Sequence, residues 1–291
     1  MSELAGGRVL LKLENLQHTG TFKLRGALNR MLSLTPAQRK KGVITASTGN
    51  HGLALAYGAN LLGMRSLVFV PRTASKEKRE AIERYGVSVS VIGRDNCEAQ
   101  MHAREYAAQR GMIFVPPYND PMVVAGQGTI AMEILEQAGP SRIDEAFVCM
   151  GGGGLISGVG GYLKARLPKI TVRGASPVNS PGMIACLKAG KFVTIYQKPT
   201  LAAGSSGGSI VDGSITFDFC RRFVNEVDTF TEAEIANALL WFIETHHLYI
   251  DGSAALPVAS FLRHHKELRG RTAVVVICGA NMSLETLKEL M

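Results

Sequence analysis

The chain has 291 residues, 46% hydrophobic and 19% charged, a balance that supports a large core and two domains and excludes a disordered chain. Its formal net charge of +8 raises nucleic acid as a partner, yet Lys and Arg are spread out, with only short clusters such as Arg39-Lys40-Lys41. They read as solvated helix faces, so no nucleic-acid partner is expected, and the mildly basic field favours small anionic ligands.

Strand-like and helix-like runs alternate along the chain. Strands are expected at 9–13, 42–45, 66–70, 87–92, 145–149, 171–175 and 272–278. Helices are expected at 22–32, 51–62, 75–85, 97–110, 123–137, 155–167, 232–246 and 253–264, with stops such as Gly63 and Pro168. This alternation predicts an α/β fold with parallel sheets. Residues 200–213, rich in Gly and Ser, are expected to form a long loop. With no Pro-rich linker, one domain is expected to be inserted in the other, the chain crossing near Leu34-Thr35-Pro36 and again near Pro116-Pro117. The five cysteines are odd in number and none are spaced as C-x-x-C, which argues against a disulfide framework or a structural zinc site and fits a reducing compartment. The start MSELAGGR lacks the regions of a signal peptide, and no apolar run approaches membrane-spanning length, so a cytoplasmic protein without a membrane partner is expected.

Four stretches carry chemistry. Gly151-Gly152-Gly153-Gly154 lies between an expected strand and an expected helix, where backbone N–H groups can approach an anion, most often phosphate. Ser47-Thr48-Gly49-Asn50-His51 also lies between a strand and a helix, and its hydroxyls and N–H groups suit a carboxylate; capping alone explains Ser47 or Thr48, but not Asn50 and His51. Cys278 ends a buried strand, where open α/β sheets bind ligands, although an isolated cysteine is by default inert core. In Thr19-Gly20-Thr21-Phe22-Lys23, Thr21 is expected to cap a helix whose first turn holds Lys23 and Arg25. A lysine among apolar neighbours and beside Arg25 is expected to have a depressed pKa, suiting it as a nucleophile toward carbonyls and as a base. A phosphorylated aldehyde held on Lys23, together with an amino acid, would use all of these groups.

The stretch Lys12-x-Glu14-x-x-Gln17-x-Thr19-Gly20-Thr21-Phe22-Lys23-x-Arg25-Gly26 resembles the cofactor-lysine signature of the threonine/serine dehydratase family, which includes serine racemases. The resemblance extends to Ser47-Thr48-Gly49-Asn50-His51, Gly126-Gln127-Gly128-Thr129 and Gly151–154, in the family's order. It implies a fold-type II pyridoxal-phosphate enzyme: two open, twisted, mainly parallel sheets flanked by helices, with a large domain of residues 1–33 plus 121–291 and a small inserted domain of residues 34–120. It also implies pyridoxal 5'-phosphate held on Lys23 as a Schiff base, with Phe22 against the ring, Asn50 on its 3-hydroxyl, Gly151, Gly152, Gly153 and Gly154 on its phosphate, and Cys278 facing the ring nitrogen. Ser47, Thr48 and His51 would hold the substrate carboxylate. The implied reaction is loss of water and ammonia from L-threonine, L-serine or a related β-hydroxy amino acid, in a homodimer. Alternatives are a racemase, a β-replacement synthase or a hydroxyectoine-utilisation-type dehydratase on the same scaffold, and a non-catalytic cofactor-binding protein.

Departures from the family pattern add expectations. Ser176-Pro177-Val178-Asn179-Ser180-Pro181 has no carboxylate where metal-activated relatives place ligands, so no metal is expected there. Thr48 stands where racemases carry serine, which lowers the expectation of racemisation. Asp251 replaces a usual Glu, and Leu201-Ala202-Ala203-Gly204-Ser205-Ser206-Gly207-Gly208 replaces an Ala-Asp-Gly segment; both bear on the substrate pocket. The chain begins almost at its first strand, which bears on dimer contacts, and ends soon after Asn281, which argues against a regulatory domain and feedback control by isoleucine.

Overall fold

A computed structural model describes residues 1–139, 142–206 and 213–291. The chain divides into two compact units, residues 1–22 with 127–291, and residues 23–126. The sequence reading puts the inserted domain at 34–120. In the structure the helix Lys23–Leu32 lies with the inserted unit, because Leu24, Ala27 and Met31 share a core with Ala54, Leu55 and Ala59 of the helix Asn50–Leu61. Val123 joins the same core and draws in the residues up to Gly126.

The larger unit holds five parallel strands, β1 (Arg8–Leu13), β6 (Glu145–Cys149), β7 (Thr171–Pro177), β8 (Glu226–Phe230) and β9 (Thr272–Ile277), in the order β1-β9-β6-β7-β8. The inserted unit holds four, β2 (Val43–Ala46), β3 (Ser66–Val70), β4 (Ser88–Val91) and β5 (Ile113–Phe114), ordered β4-β3-β2-β5 and also parallel. Strands β2 and β6 are buried along their whole length, as a parallel sheet covered on both faces requires. Period-two alternation sorts the side chains of the inserted sheet. Val43, Val68 and Val70 meet the helices Lys23–Leu32 and Asn50–Leu61, while Ile44, Ala46 and Phe69 meet Ala99, Ala103 and Ala107 of the helix Asn96–Arg110.

Strands β5 and β8 and the helices Pro36–Lys41, Gly182–Ala189, Ile215–Phe223 and Leu284–Leu290 add to the elements expected from sequence. The first of these helices lies where the sequence reading places a domain crossing. Thr35 and Gln38 form a reciprocal capping box there, with Pro36 in the first turn. Of the expected loop at 200–213, Ala203–Ser205 is a single 3-10 turn, and 207–212 fall outside the described residues. Among the described residues no helix is long and apolar enough to cross a membrane.

One charged network is buried in the larger unit. Glu145 at the start of β6 accepts from Arg173 of β7 at 2.8 Å, and Arg173 also faces Asp228 of β8 at 3.9 Å. Asp228 accepts from Ser260 at 2.6 Å and lies 3.2 Å from His264, both on the helix Gly252–His264. These bonds tie three neighbouring strands to the helix that covers them.

Candidate active site

In the larger unit the glycine loop and Cys278 follow the carboxyl ends of two adjacent strands, β6 and β9. Strand β6 runs through Met150 into Gly151–154 and then the helix Gly154–Arg166. Gly153 is the N-cap, at φ +85°, a left-handed conformation that L side chains rarely adopt. A Cβ on Gly151 would lie 2.2 Å from the Ser205 carbonyl oxygen, and one on Gly153 2.8 Å from Met183 Cε and 3.0 Å from Cys220 Sγ. Packing therefore demands glycine at both positions. The Thr216 hydroxyl donates to the Gly152 carbonyl at 2.8 Å and braces the turn from behind. Among the described residues the amides of Gly151 to Gly154 donate to no protein acceptor. Unspent N–H groups at the start of a helix are what a phosphate needs, so the loop fits the phosphate of pyridoxal phosphate.

At the end of β9, residues 19–22 run against 278–281. The Phe22 amide donates to the Cys278 carbonyl at 3.1 Å, and Ala280 donates to Gly20 at 2.9 Å. The Thr21 hydroxyl, expected to cap the following helix, instead gives its hydrogen to the Cys278 carbonyl at 3.2 Å. Asn281 Nδ2 donates to the Thr19 carbonyl at 2.9 Å. Cys278 is 3% exposed, and its thiol is pushed well above the usual cysteine range by its hydrogen bond with Cys149 and by burial. It is a neutral group, which suits an unprotonated ring nitrogen and not a pyridinium.

Asp251 was singled out for the substrate pocket. Its carboxylate caps the helix Gly252–His264 through the Ala254 amide at 3.0 Å and accepts from the Asn281 amide at 3.3 Å. A Cβ on Gly279 would lie 2.6 Å from Asp251 Oδ2, so glycine is required where this carboxylate meets the turn. Gly207 and Gly208 lie outside the described residues. In Ser176–Pro181, Ser180 is buried and donates to Gln197 at 2.9 Å.

The inserted unit holds the other residues of the sequence reading. Lys23 opens the helix Lys23–Leu32, and its amine donates to the Pro117 carbonyl at 2.9 Å. The neighbouring motif lysine, Lys12, differs: it is buried in the larger unit and ion-paired with Glu133. Strand β2 leads to Ser47-Thr48-Gly49 and the helix Asn50–Leu61. That helix has Gly49 as N-cap with no side-chain cap, so its first N–H groups are not closed off by Ser47 or Thr48. Ser47 Oγ accepts from the Gly49 amide at 3.2 Å, which leaves its hydrogen able to donate. The His51 imidazole points into the core, with Nε2 2.9 Å from the Val115 carbonyl, and burial first and Lys23 second lower its pKa to about 3. Sequence reasoning missed Asn281, Thr216 and Cys149, because each acts through a partner distant in the chain.

The family model for pyridoxal-phosphate dependent enzymes matches residues 1–279. This chain belongs to that family. Within the pyridoxal-phosphate enzymes it is 37% identical over 290 residues to an L-threonine ammonia-lyase of Thermotoga maritima, covering 100% of this chain and 71% of the relative. The processed form of threonine deaminase isoform 2 from Solanum lycopersicum superposes with a TM-score of 0.94 at 30% identity, covering 100% of this chain and 84% of that one. Serine racemase from Dictyostelium discoideum superposes with a TM-score of 0.88 at 32% identity, covering 97% and 90%. The two parallel sheets flanked by helices are the fold-type II architecture expected from sequence.

Proposed function

We propose that this pyridoxal-phosphate enzyme is a dehydratase that removes water and ammonia from L-threonine, and from L-serine as a smaller analogue, to leave a 2-oxo acid. The observation that carries the reading is the likeness to an L-threonine ammonia-lyase over the whole chain. Bound pyridoxal phosphate would supply the electron sink that makes the substrate Cα proton acidic.

The residues take these roles in the proposal. Lys23 holds the cofactor and later takes the proton from Cα. The amides of Gly151, Gly152, Gly153 and Gly154 bind the phosphate, and Phe22 lies against the ring. Asn50 meets the 3-hydroxyl. Cys278 presents a neutral thiol to the ring nitrogen, which limits charge build-up in the ring and favours rapid loss of the β-hydroxyl. The Ser47 and Thr48 hydroxyls and the backbone at His51 receive the substrate carboxylate. A cytoplasmic homodimer belongs to the same proposal.

A screen of the purified, cofactor-loaded chain tests it. Ammonia and 2-oxobutyrate released in equal amounts from L-threonine support the dehydratase. D-serine formed from L-serine faster than pyruvate would favour the second reading, a racemase, to which the likeness to a serine racemase points. A chain showing no visible cofactor absorbance would return the reading to a non-catalytic protein.

A further inference from the structure

The Val115 carbonyl oxygen receives two groups, the Thr45 hydroxyl at 2.8 Å and His51 Nε2 at 2.9 Å. A carbonyl only accepts, so Nε2 carries the proton. The ring is 2% exposed and faces the Lys23 cation, both of which disfavour a second proton. Nδ1 is therefore a bare lone pair, and among the described residues no donor reaches it. A carboxylate also only accepts, so this imidazole has nothing to offer one. Two residues beyond Val115, the Pro117 carbonyl accepts from the Lys23 amine at 2.9 Å. One short backbone segment thus holds His51 at one end and Lys23 at the other.

We propose that His51 is a positioning residue for Lys23 and not a side-chain ligand of the substrate carboxylate: its Nε2–H fixes the Val115–Pro117 segment, whose Pro117 carbonyl holds the lysine amine. The inference rests on the proposed function for its link to catalysis, but its geometry lies wholly within the inserted unit. Toward an anion, His51 contributes only its backbone N–H, at the start of the helix Asn50–Leu61. Its Nδ1 takes a donor, a water or a ligand N–H, and never a carboxylate oxygen. The substrate carboxylate is left to the backbone of the loop and to the Ser47 and Thr48 hydroxyls.

The test begins with nitrogen-15 NMR of the histidines in the unmodified chain, with and without pyridoxal phosphate, and then with L-2-aminobutyrate added as a probe lacking a leaving group. The expected result is a neutral, Nε2-protonated His51 from pH 5 to pH 8, unchanged by the probe. A ring protonated at Nδ1, or a charged ring at pH 7 that meets the probe, would overturn the proposal. His51→Leu and His51→Gln separate the roles kinetically, because Gln carries an N–H that reaches Val115 and Leu does not. His51→Leu is expected to lower kcat about 10-fold or more with KM within about 3-fold, and His51→Gln to recover most of kcat. A roughly 10-fold rise in KM with kcat unchanged would refute the positioning role. Should His51→Leu fail to fold, His51→Gln and the NMR of the unmodified chain still decide. A chain that takes up no pyridoxal phosphate would sink the proposed function, while the tautomer in the cofactor-free chain still tells for or against this inference.

Discussion

Gly153→Ala separates two costs that a glycine loop can hide. Gly153 has φ +85°, and an added Cβ would meet Met183 Cε at 2.8 Å, Cys220 Sγ at 3.0 Å and Thr216 Cβ at 3.0 Å. Gly190, which ends the helix Gly182–Ala189, has φ +66° and nothing within 4 Å of such a Cβ. Gly190→Ala is therefore charged only with left-handed strain, about 1–2 kcal/mol. Gly153→Ala carries that strain and an overpacking cost of about 1–3 kcal/mol, for a total of about 2–5 kcal/mol. Cys220 and Thr216 are fully buried, so they have little room to withdraw. Thermal unfolding of the cofactor-free chain is the assay, at about 2–4 °C per kcal/mol for a chain approaching this size. The shift for Gly153→Ala should exceed that for Gly190→Ala by several degrees. Equal shifts would refute the packing argument and leave only backbone strain at the loop. Titration with pyridoxal phosphate should also show weaker uptake by Gly153→Ala alone.

Other consequences can be measured on the same protein. Arg173→Ala takes from buried Glu145 its nearest partner, leaving Arg271 at 3.6 Å, and should cost about 3 kcal/mol in urea unfolding; Asp228 keeps Ser260 and His264, and adding Glu145→Leu should restore most of the loss. If Arg173→Ala falls within about 0.5 kcal/mol of wild type, the network is not structural. His51 is held neutral by burial, with its pKa lowered from 6.5 to about 3, so its folded value lies below its unfolded one. The resulting stability is complete above pH 6.5 and is lost as pH falls toward 3, about 2 kcal/mol of it by pH 5. The stability gap between wild type and His51→Gln should therefore narrow from pH 7 to pH 5, and a gap constant with pH would contradict the burial argument.

The legible parts of this molecule were those whose chemistry is local in sequence. Glycines between a strand and a helix, hydroxyls before a helix start, and a lysine after Thr-Gly-Thr can be read without a partner. Strands β2, β6 and β9 are buried and largely apolar, so their type shows in the residues themselves. Strand β8 did not show, because its sequence EVDTF carries Asp228, whose burial depends on Arg173, Ser260 and His264 from other elements. The boundary of the inserted unit differed because Leu24, Ala27 and Met31 have no preference between two cores until the helix Asn50–Leu61 is in place. The tautomer of His51 was not legible for the same reason: the carbonyl that fixes it lies 64 residues away. The structural part Asp251 plays was hidden likewise: its carboxylate caps a helix and accepts from the Asn281 amide, 30 residues on.

The account turns on Lys23. The most direct measurement is release of 2-oxobutyrate and ammonia from L-threonine by the cofactor-loaded chain beside its Lys23→Ala variant. The account predicts turnover by the first and a loss of at least about 1,000-fold in the second, with the fold retained by circular dichroism. Undiminished turnover by Lys23→Ala would contradict it.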